Sequence, residues 1–165
     1  MTKSLRDWQL SCIDTALEHF TATPHFFCQA TPGAGKTRMA AELASRLLKQ
    51  GRIDLVMCFA PSCQVVDGFR STFAEVLGRR LDGQIGAVGT AFTYQAMEYR
   101  DDGFWQLLDD YRVFVVFDEI HHWLVMIFFS ATPGGNKYCI GYKTAQPSLW
   151  LSPVRHGARM IELLS

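Results

Sequence analysis

Ala30 to Thr37, A-T-P-G-A-G-K-T, gathers the residue types needed to hold a chain of phosphates. Gly33 and Gly35, set among Thr31, Pro32 and Ala34, let the backbone curl so that successive N–H groups point inward at anionic oxygens. Lys36 has the reach and charge to meet the outer two phosphates, and the Thr37 hydroxyl suits Mg²⁺ ligation. The general form of this phosphate-binding loop (P-loop) opens with glycine, a place taken here by Ala30. Asp118-Glu119-Ile120-His121 supplies the complementary chemistry at the end of the apolar run Val113 to Phe117. Asp118 can hold the Mg²⁺ shell while Glu119 orients an attacking water. An acidic pair ending a strand is, by itself, an ordinary solvated turn. With the P-loop upstream, the two segments together point to a bound nucleoside triphosphate.

These side chains need elements to position them. Apolar residues at helical spacing (Trp8, Cys12, Ile13, Ala16, Leu17, Phe20) predict an amphipathic helix over Arg6 to Phe20. A short strand through Phe26, Phe27 and Cys28 then feeds the loop, and the next helix runs to about Gln50, stopped by Gly51. Ile53 to Ala60 reads as a continuous apolar strand ended by Pro61. Ser62 is placed to cap a helix with Val66, Phe69 and Phe73 on its apolar face, closed by Gly78. A short strand is expected over Ile85 to Val88, a helix over Phe104 to Leu108, and strands over Val113 to Phe117 and Leu124 to Phe129. Alternating strands and helices predict an α/β domain with a mainly parallel sheet flanked by helices. Ligands of such sheets sit at the C-terminal strand ends, where both motifs fall.

The 165 residues are 48% hydrophobic, which supports a folded core, and carry equal numbers of acidic and basic groups, so the formal net charge is zero. A neutral chain makes no global electrostatic case for nucleic acid, and any such contact must be local. Arg38, Arg46, Lys49, Arg70, Arg79 and Arg80 read mainly as solvated helix faces. Cys12, Cys28, Cys58, Cys63 and Cys139 are scattered and form no C-x-x-C pair. They read as core thiols in a reducing cytoplasm, with neither a disulfide frame nor a zinc site. No leader and no apolar run near about 18 residues is evident, so no membrane association is expected.

Several further segments fall in a recognisable order. Leu5-Arg6-Asp7-Trp8-Gln9 precedes the P-loop, Ala60-Pro61-Ser62 and Thr93-Tyr94-Gln95 follow it, and Ser130-Ala131-Thr132-Pro133 comes after the acidic tetrapeptide. This series resembles the first RecA-like domain of superfamily 2 helicases and translocases, nearest the type III restriction, UvrB and XPB-like branch. The resemblance covers Leu5 to Pro133 and implies a RecA-like ATP-binding domain over residues 1–133, followed by a divergent tail over 134–165. By the same resemblance, Gln9 reads the adenine edge with Arg6 beside it. Pro61, Ser62, Thr93 and Gln95 grip a nucleic-acid phosphate chain, DNA in preference to RNA. His121 relays between the ATP site and the Ser130–Thr132 segment, which couples hydrolysis to movement. Read singly, the small polar residues are equally ordinary helix caps and turns.

Two departures from the family pattern stand out. The chain ends at Ser165 without a second RecA-like lobe, so slow hydrolysis on its own is expected, with the missing arginine finger supplied by another lobe or subunit in trans. Between Asp118 and Leu124 there are five residues, Glu119 to Trp123, whereas a parallel crossover needs about a dozen or more. Five can make a hairpin, and an antiparallel strand of this length would carry Ser130 roughly 20 Å away, to the other end of the sheet. An internal deletion or an omitted stretch is the expected explanation, in preference to a new topology. In the tail, Pro153 opens an expected short helix through Met160, Ile161 and Leu164. The overall reading is an ATP- and Mg²⁺-dependent ATPase domain acting with nucleic acid. The alternative is a non-catalytic nucleotide-binding or regulatory module that docks on a full-length motor.

Overall fold

The computed structural model describes residues 4–22, 25–31, 33–97, 99–120, 124–129, 150–151 and 161–162. Met39, Ala40, Leu43, Ala44 and Leu47 form one buried stripe and make Lys36–Lys49 the central helix, α2. Helix α1 (Asp7–His19) flanks it through Ile13 and Ala16, and α3 (Cys63–Leu77) through Val66, Phe69 and Phe73. The strands are β1 (His25–Gln29), β2 (Leu55–Ala60), β3 (Gly89–Thr93), β4 (Val113–Ile120) and β5 (Leu124–Phe129). Two short helices, α4 (Tyr94–Met97) and α5 (Asp102–Asp110), separate β3 from β4.

The five strands form one sheet in the order β1-β5-β4-β2-β3. β2, β3 and β4 are mutually parallel, as the alternation of strands and helices predicts. β5 runs antiparallel to both of its neighbours, β1 and β4. The short link after β4 thus resolves as an antiparallel hairpin, because a short connection can join antiparallel strands but cannot carry a chain back for a parallel one. Since β1 and β4 are each antiparallel to β5, they point the same way. Four strands therefore deliver their C-terminal ends to one rim.

Alternation along the strands splits the interior in two. Val56, Cys58, Ala60, Phe114 and Val116 face α1, α2 and α3. Met57, Phe59, Val113, Val115 and Phe117 face α4 and α5, where Phe59 stacks on Phe117 with ring centroids 5.1 Å apart.

Three sequence expectations need correction. The strand expected over Ile85 to Val88 lies at Gly89–Thr93, and Ile85 is 99% exposed. Apolar type suggested a strand there, but the residues that pair with β2 come four positions later. The strand expected to stop at Phe117 continues to Ile120, carrying Asp118 and Glu119 within it. In the tail, Ile161–Glu162 is extended and pairs antiparallel with Trp150–Leu151 as strands β7 and β6, so the expected helix does not form at Ile161. Met160 and Leu164 lie outside the described residues.

At the opposite rim, the starts of β2 and β4 are clasped. Arg112 donates from Nε to Asp54 Oδ2 at 2.9 Å and from Nη2 to Oδ1 at 2.6 Å, and its backbone N–H reaches Oδ2 at 3.0 Å. These donors hold the Asp54 carboxyl down to about 2. A carboxyl depressed on folding stabilises the fold fully above its unfolded value, about 4, and loses that contribution as the pH falls through the folded one. Asp54→Asn should therefore lower the urea midpoint at neutral pH, with the gap to the parent closing between about pH 4 and pH 2. A second expectation concerns Gly89, where an added Cβ would sit 1.7 Å from the Val56 carbonyl oxygen. Gly89→Ala should force β3 off β2 and cost about 1–3 kcal/mol or more in thermal or urea unfolding. Unchanged stability would contradict the β2–β3 register.

Candidate nucleotide site

The loop between β1 and α2 owes its shape to two left-handed glycines, Gly33 at φ 74° and Gly35 at φ 94°. Gly35 is also the residue that caps α2, so the helix's N-terminal dipole opens into the loop. The Ala34 N–H donates to the Thr31 carbonyl at 3.1 Å and closes the turn. Lys36 is buried, and its Nζ donates to the carbonyls of Ala30 at 2.9 Å and Thr31 at 3.4 Å. Pro32 lies outside the described residues.

Helix α1 is tied onto this loop at its first turn. Gln9 is buried; its Nε2 donates to the Gly35 carbonyl at 2.8 Å, and its Oε1 accepts the Arg6 backbone N–H at 2.8 Å. Arg6 adds a bond from Nη1 to the Ala34 carbonyl at 3.4 Å. Both ends of the Gln9 amide, expected on an adenine edge, thus engage the protein's own backbone. Gly35 is doubly constrained, because a Cβ there would meet Gln9 Nε2 at 2.7 Å as well as face the left-handed penalty.

The acidic motif sits two strands from the loop. Gln29 of β1 and Ile120 of β4 pair with the same β5 residue, Leu124, and neighbouring strands are about 4.8 Å apart, giving roughly 10 Å between β1 and β4. Register slips between Phe117 and Ile120: Phe117 pairs with Met126 and Ile120 with Leu124. Asp118 and Glu119 together oppose Val125, a bulge of the kind that re-aims side chains at a sheet rim. Asp118 is buried, and its carbonyl accepts a 2.5 Å hydrogen bond from the Tyr94 hydroxyl. Tyr94 in turn stacks on Phe117 with the rings 2° from parallel, so the aromatic face of the sheet braces the acidic motif.

A cavity of about 750 Å³ opens over the loop, walled by Arg6 and Gln9 on one side and by Thr37, Arg38, Thr72 and Glu75 on the other. It brings together the P-loop glycines, Thr37 and the α1 pair. Lys36 and Asp118, both buried, are not part of its wall. Arg38, expected as a solvated helix residue, spans α2 and α3 through Glu75 at 2.9 Å. Its partner lies 37 residues away, so no local pattern announces the pair. Tyr94 was equally silent in the sequence, since a tyrosine beside a polar pair has no distinctive spacing.

The four candidate nucleic-acid residues lie at the same rim, where Ala60 pairs with Thr93. Ser62 is exposed and its Oγ accepts the Val65 N–H at 3.4 Å, capping α3. Thr93 Oγ1 accepts the Ala96 N–H at 3.3 Å. Pro61 and Gln95 are exposed. Both hydroxyls therefore have capping roles of their own. His121, Ser130 and Thr132 lie outside the described residues; Phe129, just before Ser130, pairs with Phe114 near the start of β4.

Against known proteins, residues 2–134 match the family model described as type III restriction enzyme, res subunit. No curated protein and no solved structure matches the chain.

The packing of Gln9 on Gly35 makes a quantitative expectation. Gly35→Ala should destabilise through both steric conflict and left-handed strain, and Gln9→Ala in the same chain should remove the first cost alone. The double-mutant cycle should then show coupling of about 0.5–3 kcal/mol, leaving about 1–2 kcal/mol for the backbone. Additive unfolding energies would mean that the two residues do not touch.

Proposed function

The chain belongs to the type III restriction enzyme res subunit family, and on that footing we propose that it is the ATP-binding domain of a nucleic-acid-dependent ATPase, a helicase or DNA translocase. Membership makes it a helicase-like ATP-binding domain; hydrolysis, its dependence on nucleic acid and the preference for DNA are the proposed part. The observation that carries the reading is Lys36, buried beneath two left-handed glycines and solvated by loop carbonyls at the mouth of α2. Neutral acceptors hold that ammonium in place without cancelling its charge.

The residues suit a magnesium triphosphate. Thr37 offers a hydroxyl in the first turn of α2, and Asp118 a buried carboxylate at the end of a parallel strand, a hard oxygen pair of the kind Mg²⁺ takes. Thr37 and Asp118 would hold the ion, which when bound neutralises charge on the β- and γ-phosphate oxygens. The N–H groups of Gly33, Gly35 and Lys36 bind the phosphates, Lys36 stabilises charge that grows on the outer one, and Glu119 orients the water and takes its proton. Arg6 and Gln9 border the cavity where the base would lie. A second lobe or partner subunit supplies an arginine in trans, and the rim residues Pro61, Ser62, Thr93 and Gln95 meet the nucleic-acid backbone. The family's description as a restriction enzyme speaks for DNA. Among the described residues no helix is long and apolar enough to cross a membrane.

One observation favours a second reading, a nucleotide-binding module that docks on a full-length motor. The reversed β5 carries Phe129 to the rim opposite the P-loop, away from where a coupling segment would act.

Lys36→Ala should weaken Mg-ATP binding by about 10- to 100-fold in calorimetry, the worth of one charge-assisted hydrogen bond. Glu119→Gln should leave binding intact and lower phosphate release, measured with and without single- and double-stranded DNA and RNA, by about 10²- to 10⁴-fold. Unchanged affinity in the first variant removes the P-loop assignment. Equal turnover in the parent and the second variant favours the module.

A further inference from the structure

Cys12 on α1 and Cys28 on β1 bring their sulfurs to 3.3 Å, with the Cys12 thiol donating to Cys28 Sγ. Cys28 is buried and Cys12 half-buried. The two sulfurs join the elements that carry the nucleotide site. Cys12 lies three residues after Gln9 on the same helix face, and Cys28 lies two residues before Ala30, where the P-loop begins. Of the four described cysteines, Cys58 and Cys63 have no comparable sulfur partner among the described residues. We propose that Cys12 and Cys28 form an oxidisable dithiol, with a small peroxide as its substrate, whose disulfide locks α1 onto β1 and weakens base recognition at the P-loop.

The chemistry balances. Cys28 Sγ, as thiolate, attacks one oxygen of hydrogen peroxide, the O–O bond breaks, and hydroxide leaves with the electron pair; Cys28 becomes the sulfenic acid. Cys12 Sγ then gives up its proton and attacks Cys28 Sγ, the S–O bond breaks, and water departs. Two thiols and one peroxide yield one disulfide and two waters. The thiolate is favoured because the Cys12 S–H bond and then the Lys36 charge bring Cys28 down to about 7, against the opposing effect of burial. A peroxide is small enough for the half-buried site.

The mechanical consequence follows from α1. A disulfide holds its sulfurs about 2 Å apart, against 3.3 Å here, so its formation tethers Cys12 of α1 covalently to β1. The tether, three residues after Gln9 on the same helix, restrains that amide on the Gly35 carbonyl that it already binds at 2.8 Å. Reading a base would require that amide to turn toward the ligand, and the locked helix prevents it. Phosphate binding by the loop N–H groups and Lys36 is untouched. The regulatory half of this inference rests on the nucleotide reading; formation of the disulfide does not.

The test treats the reduced full chain with hydrogen peroxide, maps peptides without reduction, and measures Mg-ATP and magnesium tripolyphosphate binding by calorimetry. The expected map shows one Cys12–Cys28 cross-link with loss of two hydrogens. Mg-ATP affinity should fall about tenfold, the worth of one hydrogen-bonded pairing, while tripolyphosphate affinity stays within about twofold. Dithiothreitol should restore both. Cys12→Ser should abolish the cross-link and the affinity change, and Cys12→Ala serves the same purpose should the serine variant fail to fold. Cys28 over-oxidised with Cys12 still a free thiol, or linked instead to Cys63, overturns the dithiol. A cross-link with unchanged Mg-ATP affinity overturns the regulation. Reduced protein that binds neither ligand sinks the nucleotide reading and the regulation with it, and the peptide map still judges the dithiol.

Discussion

Strand direction is the constraint on which the rest of the structure depends. The glycine loop and the carboxylate proposed to hold its metal can meet only when the strands that carry them end at the same rim. β1 and β4 satisfy this, with β2 and β3 pointing the same way. The reversed β5 leaves the condition intact because it contributes pairing between β1 and β4 without contributing a loop to that rim. It fills about 10 Å of width in the sheet, and β1 would otherwise have no neighbour there to hold it in register. Reversal costs the far end, where the chain leaves β5, and spares the end where the P-loop and Asp118 lie.

Within that frame, the loop's shape is maintained from outside. Gly35 is left-handed, and its carbonyl accepts both the Met39 N–H of α2 at 3.1 Å and Gln9 Nε2 of α1 at 2.8 Å. The same amide accepts from the Arg6 N–H, one of the unpaired donors at the start of a helix. One side chain thus satisfies the opening of α1 and the cap of α2. Arg46 and Asp14, 2.8 Å apart, join the same two helices lower down. An exposed pair of that kind adds little energy, so the orientation of α1 over the loop rests mainly on Gln9 and on buried Ile13 and Ala16.

The features legible in the sequence were those encoded over a few neighbouring residues. The glycine turn that opens α2, the Ser62 cap and the bounds of Leu124–Phe129 depend on local residue type and were read correctly. The strand at Gly89–Thr93 was missed because its burial comes from pairing with β2; two of its five residues are threonine and one is glycine, a pattern without apolar emphasis. The bulge that keeps Asp118 and Glu119 inside β4 arises from a partner strand, so the apolar run ending at Phe117 gave no hint of it. Arg38 with Glu75, Asp54 with Arg112, and Cys12 with Cys28 are contacts between distant segments; Arg38 was read as a solvated helix face and the two cysteines as core thiols, and nothing local marks Asp54 or Arg112. Gln9 was singled out for an adenine edge, and its hydrogen bonds to Arg6 and Gly35 required coordinates.

Two buried cysteines near this rim are shifted in opposite directions. Cys58 on β2 is pushed well above the ordinary thiol range, first by burial and then by the negative charge of Asp118. Cys28 on β1 is brought down, first by the Cys12 hydrogen bond and then by the positive charge of Lys36. Burial raises both and is the main cause for Cys58, so the fall at Cys28 comes from its neighbours, the Cys12 hydrogen bond first and the Lys36 charge after it. Lys36 follows β1 and Asp118 belongs to β4, so formal charges of opposite sign lie toward the two ends of the rim. A metal triphosphate has the complementary order, anionic oxygens on one side and a cation on the other. The strand order places the charges in that sequence before any ligand arrives, the kind of preorganisation that the proposed phosphoryl transfer would use.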